Sequence, residues 1–231
     1  MKRSHKTVDL SKSFVHQLNM YALAASAAGV GLLALVQPAE GRIVYTHTNK
    51  KIVNGLTIDL NHDGITDFTL SFSRKSTGGG DFASYLHAVP AGMNGVVSSG
   101  KYAADLPSGA EIDSQQNFAS APKIMVVKSY SSHRSVCFGP WDDKKRYLGF
   151  KFDIEGKLHY GWARLGVWCN KNYDKGKIFG HLTGYAYETI PNKPIITGKT
   201  KGPDVITIHP GSLGHLARGA PAIPAWRRKD Q

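Results

Sequence analysis

The segment Tyr147–Val167, YLGFKFDIEGKLHYGWARLGV, leaves a chain little choice of local structure. Apolar side chains recur at every second position, first at Leu148, Phe150, Phe152 and Ile154, then at Leu158, Tyr160 and Trp162, with Arg164 and Gly166 continuing the second face. Between the two runs stand Glu155 and Gly156. Period-two alternation broken by a two-residue turn, with glycine able to take positive φ, predicts an antiparallel hairpin. The same signature marks further strands at Ile43–Thr46, Leu56–Leu60, Phe68–Ser73, Ser84–Val89, Ile124–Tyr130, Ile178–Glu188 and Pro194–Thr197. No stretch after Arg42 keeps a 3.6-residue period over three turns. The expectation is therefore an all-β chain with a single β-sandwich or jelly-roll-like domain over residues 42–200. Long Gly/Ser-rich surface loops are expected at Ser76–Asp81 and Ala91–Gln116, with one short helical turn among them.

The N-terminus reads as a targeting segment. Lys2, Arg3, Lys6 and Lys12 precede the apolar run Met20–Val36, and Ala39 and Gly41 are the small residues a signal peptidase needs before Arg42. At 17 residues, rich in Ala and Gly, the run is short for a permanent span of about 20 apolar residues. The expectation is a signal peptide at 1–41 and export, with membrane contact only in transit. In an exported chain, two cysteines such as Cys137 and Cys169 are expected to form a structural disulfide.

Carboxylates are scarce here, 17 Asp and Glu against 29 Lys and Arg, yet several crowd into Asp59–Phe68, DLNHDGITDF. Asp59, Asn61, Asp63 and Asp67 occupy positions 1, 3, 5 and 9 of a calcium loop, with Gly64 at the bend and the Ile65 carbonyl at position 7. Alternate side chains on a tight turn bring oxygens to one centre, and calcium takes six to eight of them. Leu70 stands where an EF-hand places its bidentate glutamate, and LTIDL and FTLSF flank the loop like strands. Calcium as a structural clip between strands is the expectation, not a helix–loop–helix sensor. A missing ligand would come from water or from a distant carboxylate such as Asp81.

The blocks YLGFKF, HYGWAR and GYAYE (147–152, 159–164, 184–188) together resemble a pattern of exported bacterial β proteins of the PEP-CTERM-associated kind. The basic tail, residues 201–231, resembles their sorting signal in degraded form: His209-Pro210-Gly211 stands in place of Pro-Glu-Pro, and Arg227-Arg228-Lys229 follows an interrupted apolar stretch. The resemblance implies a secreted, surface- or matrix-associated β-sandwich without assigned chemistry.

The net charge of +12 suits an acidic polymer, but no block of cations interleaved with aromatics marks a nucleic-acid module. There is no G-x-S-x-G, HExxH or P-loop, and no carboxylate pair lies in an apolar frame of the kind that tunes acid and base. The reading is a non-catalytic structural or adhesive module meeting extracellular polysaccharide or a cell-surface matrix. The alternative is a lectin-like module in which Trp162, Tyr160, Arg164 and Tyr187 bind glycan. Strand residues Arg164 and Glu188 are expected to pair.

Overall fold

A computed structural model describes residues 41–131, 134–169 and 177–208, which contain no helix. The expected leader, apart from Gly41, and the tail beyond Ile208 lie outside the described residues. Fifteen strands follow in order: β1 (Ile43–Ile52), β2 (Leu56–Ile58), β3 (Phe68–Gly78), β4 (Asp81–Pro90), β5 (Gly95–Ser99), β6 (Tyr102–Ala103), β7 (Glu111–Ile112), β8 (Phe118–Ala119), β9 (Lys123–Ser131), β10 (Arg134–Phe138), β11 (Lys144–Ile154), β12 (Lys157–Cys169), β13 (Ile178–Glu188), β14 (Ile195–Ile196) and β15 (Val205–Ile208).

The expected hairpin is β11–β12, in unbroken antiparallel register from Lys144↔Val167 to Ile154↔Lys157. Glu155 and Gly156 both have positive φ, 53° and 78°, as a primed two-residue turn requires. The Asp153 carboxylate accepts the Gly156 N–H and closes it.

One sheet runs β15-β1-β13-β12-β11-β5-β6-β9-β4-β3-β2, with β10 added beside β9 and β8 beside β5. It curls on itself like a sandwich. Leu70, Leu86 and Val126 from one half meet Phe150, Phe152, Leu165 and Leu182 from the other in the main core. Phe68 and Phe150 stack across it, 4.0 Å between centroids. The corner is β5. Its first residues pair with β11 and its last with β6, so one five-residue strand passes from half to half.

A second core lies on the outer face of the β1-β13-β12-β11 half, where Tyr45, Tyr160, Trp162 and Ala186 meet Ile112 and Ile195 of the small β7–β14 ribbon. Gly149 makes the close approach possible, because a Cβ there would lie 2.7 Å from Val97 and 2.9 Å from Leu106. β12 is thus buried on both faces from His159 to Ala163.

Three expectations change. Ala91–Gln116 is not a surface loop with a helical turn; it contains buried β5 and the chain that covers the second core. Ser76–Asp81 is no long loop either, since β3 and β4 run almost to the tip and leave only Gly79-Gly80 between them. The sheet also extends past the expected boundary at residue 200, because β15 pairs in parallel with β1, from Ile43↔Val205 to Thr46↔Ile208.

Candidate metal centre

The acidic loop joins the short hairpin β2–β3, in which Ile58 lies opposite Phe68. Its path is fixed by its own carboxylates. Asp59 Oδ1 accepts the His62 N–H at 2.7 Å and Oδ2 accepts the Gly64 N–H at 2.9 Å. Asp63 Oδ1 accepts the Ile65 N–H at 2.7 Å, and its Oδ2 accepts from Asn61 Nδ2 at 2.8 Å. Short acidic side chains capture nearby amides in this way, which is why they nucleate turns. His62 and Gly64 supply the bend with φ of 63° and 87°.

Asp67 is the anchor. Only 6% exposed, it accepts the Leu60 N–H at 2.8 Å through Oδ2. Asn94 Nδ2 reaches its Oδ1 and its backbone carbonyl, both at 3.3 Å. Burial, with the charges of Asp59 and Asp63 adding to it, raises its pKa from 3.8 to about 6, against the opposing Leu60 and Asn94 hydrogen bonds. A divalent cation is the direct way to relieve such a cluster.

The donor set fits calcium in chemistry and in one orphaned atom. Asn61 Oδ1 is buried and has no hydrogen-bond partner. A carboxylate oxygen keeps a lone pair after accepting one N–H, so the turn bonds of Asp59 and Asp63 leave room for an ion. The carboxylates of Asp59, Asp63 and Asp67 do not bring three oxygens within 4.8 Å of one another. Among the described residues, only Cys137, Asp142 and Cys169 bring three ionisable ligand atoms within 4.8 Å of one another. Those cysteines are bonded to each other, with Cα atoms 6.1 Å apart, so they offer no thiolates.

Asp81 is not a ligand. It opens β4, whereas Pro90 at the far end lies beside the loop, opposite Phe68. At about 3.4 Å per residue the strand separates the two by about 30 Å. Asp81 instead accepts the Ser131 hydroxyl at 2.7 Å.

The loop also leans on the opposite half of the sandwich. His62 Nε2 lies 2.8 Å from the Thr46 hydroxyl, and its ring is 5.8 Å from that of Tyr185. Burial pushes the Tyr185 and Tyr187 hydroxyls up, and the Asp59 charge adds to both shifts. Sequence reasoning missed Asn94 and Thr46. Asn94 lies 27 residues from Asp67 and also accepts the Asp153 N–H at 3.1 Å, tying the loop to β11.

The glycan platform of the alternative reading does not assemble. Trp162 is 0% and Tyr160 1% exposed, both in the second core, so neither ring can stack on a sugar. Tyr187 packs against the main core on the other face of the sheet. Arg164 and Glu188 do not pair. Arg164 lies opposite Gly184 and donates to the Thr183 hydroxyl at 2.7 Å, while Glu188, four residues further along, is held by Lys193 at 3.2 Å.

No family model, curated protein or solved structure matches the chain.

Proposed function

We propose that this chain is an exported, non-catalytic structural or adhesive module whose sandwich is clipped by calcium at Asp59, Asn61, Asp63, Ile65 and Asp67. The observation that carries the reading is the Asn61 side-chain oxygen, buried without a partner on the loop that carries Asp59, Asp63 and Asp67. In this reading the ion takes the Asn61 oxygen, the Ile65 carbonyl and free lone pairs of the aspartates, and water completes its shell. It would compensate the buried charge of Asp67 and its repulsion from Asp59 and Asp63, and fix the β2–β3 connection against β1 and β13. The Cys137–Cys169 disulfide fits an oxidising compartment and supports export.

Thermal unfolding of the full chain, with calcium and with chelator, tests the clip. At calcium a hundredfold above the dissociation constant, linkage adds about 2.7 kcal/mol. That moves the midpoint of a domain this size up by roughly 5–10 °C. An unchanged midpoint across millimolar calcium would remove the assignment.

A further inference from the structure

The outer face of the β11-β12-β13 half is covered at Tyr160 and Trp162 but open at the other end of β12. There, Lys145 of β11, Gly166 of β12, His181 of β13 and Lys51 of β1 stand opposite one another in register, one row across four strands. Directly opposed residues share a face, so these side chains form a single line. With strands about 4.8 Å apart, Lys145 and His181 lie about 10 Å from each other and Lys51 about 5 Å beyond. Gly166 leaves a gap in the line, because a Cβ there would only touch Lys145 at 3.6 Å and Trp168 at 3.7 Å. Two adjoining hollows of about 470 and 350 Å³ share Lys145, Gly166 and Trp168.

Trp168 borders this groove, 42% exposed, with its ring stacked on Phe179 at 6.0 Å and 16°. The opposite border is Arg164, held in place by Thr183. Among the described residues, no carboxylate pairs with Lys145 or Lys51. Lys144 and Arg146 point to Asp105 instead, at 2.8 and 3.9 Å, and among the described residues Asp143 is the only acid lining either hollow.

We propose that this groove binds an acidic, carboxylate-bearing polysaccharide, with Trp168 stacking on a pyranose face while Lys145, Arg164 and Lys51 meet the uronate charges. A polyuronate alternates what the groove presents, a flat apolar sugar face and an anion. Single-stranded nucleic acid wants successive aromatic platforms along a basic track, and here one stacked pair stands beside one cationic row. The proposal does not rest on the calcium reading, whose loop lies toward the other end of β12 and on its opposite face.

Titration of the full chain with polygalacturonate, neutral dextran and single-stranded DNA tests it. The expected result is saturable polygalacturonate binding, at least tenfold weaker in both Trp168→Ala and Lys145→Glu, with unchanged thermal midpoints and no dextran binding. Absence of polygalacturonate binding, equal affinity for dextran, or full affinity in either variant overturns the proposal. So does tighter binding of DNA that weakens in the same two variants, which would make the groove a nucleic-acid site.

Discussion

β12 is fastened near both ends, and the two fastenings work by different physics. At Cys169 a disulfide crosses to Cys137 of β10 and joins the two halves of the sandwich covalently. Near Gly161, where a Cβ would meet Leu60 at 3.5 Å, the acidic loop crosses the same gap with hydrogen bonds and charge. Eight residues, about 27 Å of strand, separate them. The covalent tie carries no titratable group and opens on reduction. The loop is built from groups that repel one another, so its strength depends on what neutralises them. A fold can thus be permanent at one end and conditional at the other.

The comparison breaks most visibly at the covalent end. Replacing both cysteines by alanine releases a 32-residue loop, and the entropy model places the loss at roughly 3–4 kcal/mol. Denaturant unfolding of the double variant reads this directly, and its calcium response should match that of the parent chain.

A smaller effect is expected from pH. Asp67 titrates near 6 in the folded chain against 3.8 unfolded, so between those values the folded state holds the extra proton. Stability in chelator should therefore fall as pH rises through that window and level off above 6. Calcium, which binds the ionised loop, should flatten or reverse the slope, and Asp67→Asn should abolish both behaviours. Urea midpoints measured from pH 4 to pH 7 decide it.

The smallest effect belongs to the contact between the loop and the opposite half. His62→Ala removes the Thr46 hydrogen bond and should cost about 0.5–1.5 kcal/mol. Hydrogen exchange should show the loss confined to the β2–β3 connection, leaving the β10–β12 end unchanged.

How much of this could be read in advance follows the range of the physics. The β11–β12 hairpin was legible because alternation and a two-residue turn are local. The cysteine pairing was legible by elimination, because the chain has only two. β5 was hidden because GVVSS is short and flanked by turn residues, and only its place at the corner of the sheet buries it. Trp162 and Tyr160 could also be read as a glycan platform for a related reason. Alternation assigns them a face but does not say that the face is covered, and the cover comes from Ile112 and Ile195, remote in sequence. In the acidic loop the residue types announced themselves. Their supports, Asn94 and Thr46, did not, since a lone polar residue in a distant segment carries no spacing signal.

The parallel pairing of β15 with β1 governs the order in which the molecule can be completed. β1 begins at Ile43, and its two neighbours are β13, ending at Glu188, and β15, ending at Ile208. During synthesis, the first of the described strands to emerge has neither sheet neighbour until nearly the whole described chain has followed. Contacts of such long sequence separation are slow to close. The architecture therefore keeps β1 unpaired while most of the described chain is still being made, and seals the sheet with β15, the last of the described strands.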